Sequence, residues 1–513
     1  MRVTSASGLK PEVLTRISIL LPLALGAALI ASDRWFALVD DEYEIINRAV
    51  QPVGHTIDLF LRGVGMHEHP PLYDLLLHGW LFLTAGEPNL LRLPSVLFYV
   101  LGAWIVAKAA GNLGGIQTQS WVLLLVVLWP YGFHFGRLTA WYSWSFLLIS
   151  LLTWSYFRWV EQPFLTRWIP VVLCSLLLVY SNYFGWALLA CLAFDFAIRD
   201  WRKCVRLWPQ LFGALVFLLV CYVPVVAAFF RELHTGVQTA NSLTHNTITG
   251  IYNLYCIFVS ESVAPWVWSL GIPAGTAIAI CLLLTLRYSP PPARRLLLYF
   301  GGLFAVMTFL GIVNAKRLIL LGPWLILPVG LTLGSARNKL LRRALVLSLA
   351  LIAGIGWYGI FDRTLYAAPR WLEPWNEVAE QAAQTIRDGG AVIGNNSSFF
   401  FYLTYLLPAE NGSGGKSFSG FLPASVQRAQ VYNPQQWIEA GYPLRPAILF
   451  VKGLHYNVSS VPTDESEAWL DGHCRLQSDQ RLLHDPGAKL KQRFAPALGQ
   501  VEWRIEIRTY DCR

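Results

Sequence analysis

The amino-acid sequence predicts a polytopic α-helical membrane protein of eleven to thirteen spans with a soluble α/β domain at its C-terminal end. Three observations predict it. Hydrophobic residues make up 55% of the 513 and charged residues only 14%, where a soluble globular chain carries about 25% charged. From Leu90 to Ile360 the chain is a succession of apolar segments with short breaks. Beyond Phe361 the composition shifts: Lys and Arg outnumber Asp and Glu by 25 to 15 in residues 1–361, but are outnumbered 15 to 16 in residues 362–513. The net charge of +9 therefore belongs to the membrane half. Its cations stand singly or in small groups between spans, where they set topology and meet lipid phosphates, and this excludes a nucleic-acid partner.

Arg2, Lys10 and Arg16 precede the first apolar run, Ile17 to Ala31. No small-residue cleavage pattern follows it at Ser32-Asp33-Arg34-Trp35, so the run reads as an uncleaved anchor. Positive-inside logic puts the N-terminus in the cytoplasm and the next loop on the outer side. Pro71 to Ala85 is apolar but short and carries Asp74 and His78, which suits a re-entrant or surface helix. Clear helices follow at 91–109, 121–135, 138–159, 168–180 and 183–198, then at 210–230, 264–286, 296–313, 318–334 and 344–361. With Pro71 to Ala85 not crossing, Lys108, Arg158 with Arg167, Arg199 to Arg206, Arg287 to Arg295 and Arg337 to Arg343 all fall on the inner side. That count gives eleven spans, with twelve or thirteen left open by the short helices.

Acidic residues are concentrated in one place. Of fifteen in residues 1–361, nine fall in the loop 33–87, centred on Asp40-Asp41-Glu42 and His67-Glu68-His69. Carboxylates at a membrane surface are costly unless solvated, paired or used, and their clustering weighs against a plain polar connector. Tyr43, Ile45, Ile46, Ala49 and Val50 form one apolar stripe, which predicts an interfacial helix with its carboxylates turned away from lipid. On the same outer side lie Arg137, in a loop that leads to Tyr142, and Lys316-Arg317. One outward Arg at a span end is usually a snorkelling anchor, but three cations on the side of a carboxylate cluster suit a lipid-phosphate site. The polar loop 231–263, with His234, Asn241, Thr244, His245, Asn246 and Thr247, reads equally as a gate or a connector.

These residues carry a family resemblance. Asp41-Glu42 in a long loop after the first span, His69-Pro70-Pro71-Leu72-Tyr73 opening an apolar helix, Gly86-Glu87 and Arg92-Leu93-Pro94-Ser95 together resemble the GT-C membrane glycosyltransferases. Within them the chain is similar to the protein O-mannosyltransferase and lipid A aminoarabinose transferase group. The resemblance covers residues 14–200 by motif and the later spans by hydropathy. It implies a glycosyltransferase of the plasma (inner) membrane that takes a sugar from a polyprenyl-phosphate donor, undecaprenyl or dolichyl, and passes it to a glycan, lipid or protein at the outer, periplasmic face. Inversion at the anomeric carbon is part of what it implies.

By the same resemblance the catalytic carboxylate lies in the first outer loop. Both Asp40 and Asp41 are candidates by position, and the motif alignment selects Asp41 as the base, with Glu42 and Asp40 as tuners or metal ligands. Arg137, Lys316, Arg317, His69 and Tyr142 are the expected donor-phosphate ligands, although the aminoarabinose transferases carry Lys where this chain has His69. Asp41, His67, Glu68 and His69 also form a ligand set suited to a divalent ion, which such enzymes use in some cases and dispense with in others. A flippase of lipid-linked sugars would share the spans and the cations, but would put charges near the midplane and show an internal repeat; the sequence shows neither. A non-catalytic subunit of a polysaccharide assembly complex is the third reading.

In residues 362–513, Pro374 to Asp388 predicts an amphipathic helix (Val378, Ala382, Ala383, Ile386) stopped by Gly389-Gly390, with strands at 391–394, 447–451 and 501–509. The last alternates cleanly, Val501, Trp503, Ile505 and Ile507 against Glu502, Arg504, Glu506 and Arg508, as a half-buried strand does. The glycines at 389–390 precede their strand, so they make no dinucleotide fingerprint. The domain reads as acceptor recognition, partner docking or plain support. Cys174, Cys191, Cys204, Cys221 and Cys281 lie in or beside spans, and Cys256 in an outer loop. Cys474 and Cys512 alone stand in the outward domain, where an oxidising compartment favours their disulfide.

Overall fold

The computed structural model describes residues 11–32, 36–62, 70–84, 86–231, 242–367, 374–394, 399, 403, 430–454, 463–482 and 504–512. Helices come first: α1 Pro11–Ser32, α2 Asp40–Ala49, α3 Val53–Arg62, α4 Leu72–Leu83, α5 Leu93–Gly114, α6 Ile116–Leu128, α7 Pro130–Gly136, α8 Trp141–Glu161, α9 Leu165–Val179, α10 Gly185–Arg199, α11 Trp201–Arg206, α12 Trp208–Tyr222, α13 Leu243–Val259, α14 Trp268–Tyr288, α15 Pro291–Phe309, α16 Gly322–Ser335 and α17 Lys339–Asp362. Helices and strands then alternate: α18 Trp375–Arg387, β1 Ala391–Gly394, β2 Val431–Tyr432, α19 Pro434–Glu439, β3 Ala447–Leu454, α20 Thr463–His473, β4 Arg475–Arg481 and β5 Arg504–Asp511. The chain forms two compact units. One holds Met1–Ala31, Pro52–Trp80 and Asn89–Tyr366; the other holds Ser32–Gln51, Leu81–Pro88 and Ala367–Arg513. The second thus includes parts of the acidic loop that the sequence reading kept with the membrane module.

Among the described residues of the first unit, five helical segments are long and apolar enough to cross a membrane: α5, Trp208–Arg231, α14, Ala315–Ser335 and α17. This is an integral membrane protein. Helix α4 has 12 residues, about 18 Å at 1.5 Å per residue, well short of a hydrocarbon core of about 30 Å. Two sequence expectations need correcting. The span expected at 121–135 is broken in two, because Pro130 opens α7 and forces Trp129 into an extended conformation. The Trp129 indole donates to the Ile257 carbonyl at 2.6 Å and fixes the break. The loop expected at 231–263 contains the 17-residue helix α13, capped by the Ser242 hydroxyl, which accepts from the His245 amide at 3.2 Å. Its Cys256 is therefore a buried free thiol and not a loop residue.

Close packing follows from small residues and paired polar ones. A Cβ built on Gly102 of α5 would come within 2.7 Å of the Phe146 ring of α8, so only glycine lets these helices approach so closely. Arg231 donates from both terminal nitrogens to the Phe60 and Leu61 carbonyls at 2.9 Å, capping α3 with a cation where its orphan carbonyls gather. One buried carboxylate braces the helices of this unit. Asp195, near the end of α10, has a side chain 4% exposed and accepts from Arg295 Nε at 2.5 Å, from Tyr156 Oη at 2.5 Å and from Tyr299 Oη at 3.2 Å, with Arg199 at 3.7 Å. It joins α8, α10 and α15.

In the second unit the strands form one mixed sheet in the order β2-β1-β3-β5-β4. Strand β1 runs parallel to β2 and β3, while β5 runs antiparallel to β3 and β4. Helix α18 buries Trp375, Val378, Ala382, Ala383 and Ile386 on one face of the sheet with Val392, Leu449, Ile505 and Ile507. Trp437 of α19 and Leu470 of α20 cover the other with Ile393, Phe450 and Tyr510. The expectation of a half-buried last strand is thereby corrected: β5 sits between β3 and β4, and on its polar side Glu506 is buried as well. Burial raises the Tyr510 phenol well above its ordinary range, and its hydroxyl donates to Asp471 at 2.8 Å. Cys474 and Cys512, just outside the paired ends of β4 and β5, form a disulfide with S–S 2.09 Å.

Candidate functional site

The acidic cluster opens helix α2, which belongs to the second unit. Glu42 is fully buried, and its carboxylate accepts from the Val39 amide at 3.1 Å, while Val39 offers its carbonyl to the Glu42 and Tyr43 amides at 3.0 and 3.1 Å. Valine has no side-chain acceptor, so Glu42 supplies the capping alone. Acidic residues in a first turn also favour the positive end of the helix dipole. Asp41, one residue earlier, is half-buried. The apolar stripe expected to lie on lipid is instead buried in protein: Tyr43, Ile45, Ile46 and Ala49 are all covered, and burial pushes the Tyr43 phenol up to about 12 against a weaker pull from Asn47.

Two of the sequence motifs meet in the first unit. Tyr73, from His-Pro-Pro-Leu-Tyr, and Ser95, from Arg-Leu-Pro-Ser, share a buried hydrogen bond at 2.8 Å, and Trp80 donates to the Leu90 carbonyl at 2.9 Å. Residues 63–69, which include His67, Glu68 and His69, lie outside the described residues, as does the side chain of Asp40. Among the described residues no group of three or more His, Cys, Asp or Glu is placed to hold a metal ion.

The expected donor ligands Arg137, Tyr142, Lys316 and Arg317 share the first unit. Arg137, expected in an open loop, caps α7 and is 0% exposed. Tyr142 is buried edge-on between Phe135 and Trp141. Lys316 and Arg317 lie in a 3-10 turn, Ala315–Leu321, in which the Lys316 amide donates to the Asn314 carboxamide oxygen at 3.2 Å. The Tyr131 hydroxyl of α7 donates to the Ala315 carbonyl at 2.5 Å, which ties the helix bearing Arg137 to the turn bearing Lys316. Arg317 lines an otherwise apolar cavity of about 140 Å³ with Phe184, Leu303, Met307 and Leu320. A second, also about 140 Å³, is walled by Trp121, Leu125, Phe258, Leu325 and Val346.

One polar residue here escaped the sequence reading. Glu261, just beyond α13, is 4% exposed and accepts from the Tyr252 hydroxyl at 2.7 Å. Its charge reaches Tyr131, Cys256 and Tyr366, and Tyr366 also lies in the field of Arg137. The signal was an acidic residue set between two serines at the edge of an apolar helix.

The described elements make a bundle of apolar helices with a buried arginine, and a small mixed α/β sheet. Two solved structures share it along nearly their whole length: ArnT from Cupriavidus metallidurans in the apo state (TM-score 0.53, 14% identity, 96% of this chain and 97% of that one), and the same protein bound to undecaprenyl phosphate (TM-score 0.53, 14% identity, 95% and 97%). No family model and no curated protein sequence matches the chain.

Proposed function

We propose that this protein is a glycosyltransferase that moves a sugar from a polyprenyl-phosphate donor to an acceptor at the outer face of the plasma membrane, with inversion. The observation that carries this reading is the end-to-end likeness to a fold solved with undecaprenyl phosphate. In this reading Asp41 accepts the proton of the acceptor hydroxyl as that oxygen bonds to the anomeric carbon. The bond from the anomeric carbon to the phosphate oxygen breaks, and the lipid phosphate leaves with the electron pair. Arg137, Lys316 and Arg317 supply the positive charge it needs. Phosphate is already a good leaving group, so no covalent enzyme intermediate is called for. Glu42 holds the turn that carries Asp41, and the two apolar cavities suit isoprenoid units.

A flippase needs ionisable groups exposed on a path across the bilayer. The buried carboxylate Asp195 is instead held by two arginines and two tyrosines, which favours the transferase. The test is transfer by the purified full-length protein from undecaprenyl-phosphate sugars, alongside glycolipid mass spectrometry of cells with and without it. Asp41→Asn is expected to keep donor binding and lose about 10²- to 10⁴-fold in rate, the usual worth of a positioned base. Turnover at the wild-type rate would remove Asp41 from that role.

A further inference from the structure

The break at Pro130 is fastened on several sides. The Trp129 indole donates to the Ile257 carbonyl of α13 at 2.6 Å, and the Trp357 indole of α17 donates to the Leu128 carbonyl at 3.0 Å. A Cβ on Gly136 would come within 2.6 Å of the Tyr99 ring, so α7 rests on α5 through a position with no side chain. Trp129, Pro130 and Tyr131 are all buried, as irregular backbone at membrane depth must be unless it lines a cavity. None of these fastenings uses the Tyr131 hydroxyl.

That hydroxyl reaches away from α7, to a turn 184 residues along the chain. It donates to the Ala315 carbonyl at 2.5 Å, at the start of the 3-10 turn Ala315–Leu321. Directly after the end of the same turn, a Cβ on Gly322 would come within 2.7 Å of the Trp129 ring, a place where a larger side chain does not fit. The two rings lie 5.0 Å apart, so the break grips the turn at both ends. Between the two holds stand Lys316 and Arg317, adjacent cations that repel each other on a 3-10 turn, whose hydrogen bonding is weaker than that of an α-helix. Arg317 lines the apolar cavity of about 140 Å³. Its Nε is buried with no hydrogen-bond partner among the described residues, and its Nη1 reaches the Ile312 carbonyl at a long 3.4 Å. An unpartnered charged donor in apolar surroundings is costly, and an arriving anion removes the cost.

We infer that the Trp129-Pro130-Tyr131 break is the clamp that holds the Lys316-Arg317 turn in place for an anionic phosphate, with Tyr131 a positioning residue that acts through its hydroxyl on the Ala315 carbonyl. This inference rests on the proposed function, because it takes Lys316 and Arg317 as ligands of the donor phosphate. A turn fixed beforehand loses little freedom when the phosphate arrives, and its charges need no rearrangement. Without the hydroxyl the turn keeps both cations and its hold at Gly322, while its first residues are free to shift. Affinity for the phosphate then falls, and affinity for the apolar tail does not.

The experiment compares undecaprenyl phosphate with undecaprenol, the same tail without the phosphate, as ligands of the purified full-length protein in lipid nanodiscs. Tyr131→Phe keeps the ring and removes the hydroxyl. It is expected to weaken undecaprenyl phosphate by about threefold to tenfold, the worth of one neutral hydrogen bond, and to leave undecaprenol within about twofold of wild type. In a protein that also carries Lys316→Ala and Arg317→Ala, the same change is expected to add less than about twofold, because the groups it positions are gone. Wild-type affinity for both ligands, equal weakening of both, or a fully additive effect in the triple variant overturns the inference. Gly322→Ala presses a methyl against the Trp129 ring and tests the other hold, with the same selective loss of phosphate binding expected. If Tyr131→Phe does not fold, Gly322→Ala decides, and equal loss of both ligands or wild-type affinity there overturns the inference. Undecaprenyl phosphate affinity left unchanged by Lys316→Ala with Arg317→Ala sinks the phosphate reading itself.

Discussion

Asp195 gives the sharpest test of how the membrane unit is held together. Its carboxylate is nearly inaccessible and takes four donors, two of them guanidinium groups whose own side chains are 26% and 25% exposed. Asp195→Ala removes the acceptor and leaves Tyr156, Tyr299 and Arg295 facing a hole between α8, α10 and α15. Breaking a buried ion pair by deleting one partner costs ~3–5 kcal/mol; since both arginines reach solvent for about a quarter of their surface and can turn toward it, the expectation here is about 2–4 kcal/mol. Asp195→Asn keeps the shape and one acceptor and is expected to lose about 1.5–3 kcal/mol, the worth of hydrogen bonds to a charge. The double change Asp195→Leu with Arg295→Met should recover most of the loss, because an apolar pair of similar volume needs no desolvation. Unfolding of the purified protein in detergent, followed by tryptophan fluorescence against denaturant, reads all three. If Asp195→Ala unfolds within about 0.5 kcal/mol of wild type, as a neutral surface change would, the hub does not brace the bundle.

Arg137→Ala, Lys316→Ala and Arg317→Ala are each expected to weaken donor binding by about 1.5–3 kcal/mol, read by titration with undecaprenyl phosphate; unchanged affinity in all three would remove them from the phosphate-binding role. Glu42→Ala removes the side chain that accepts from the Val39 amide at the start of α2 and is expected to cost about 0.5–2 kcal/mol, with loss of protection for that amide in hydrogen exchange. Cys474→Ser with Cys512→Ser opens a loop of sequence separation 38, worth on the order of 3–4 kcal/mol by chain entropy. The pairing of Arg475 with Asp511 already holds the same ends together, so a value near the lower figure is expected in thermal unfolding with and without reductant.

The membrane class, the C-terminal α/β domain and helix α18 were legible because each rests on local pattern: long apolar runs, a composition shift, and a 3.6-residue stripe ended by two glycines. The break at Pro130 was readable in principle, but the apolar run on both sides masked it. Helix α13 was hidden for a different reason. Its first half is built of His, Asn and Thr, poor helix formers, and its stability comes from packing that no local pattern records. The burial of Glu506 on β5 likewise depends on β4 as a neighbour, which alternation cannot announce. Motif position singled out Asp41 and the span count singled out Arg137, while the buried Glu261 follows a strained turn visible only in three dimensions.

The composition of the second unit bears on how the protein is made. Helix α2 lies near the start of the chain, yet the unit to which it belongs consists mainly of residues from Ala367 onward. More than 300 residues are synthesised in between, and at roughly 5–20 residues per second that takes on the order of 15–60 s. During that interval the membrane helices can insert and pair while the acidic helix lacks most of its unit. Helix α2 thus belongs to a unit that is complete only after β5 is made, and a chain released early would carry its spans without that unit.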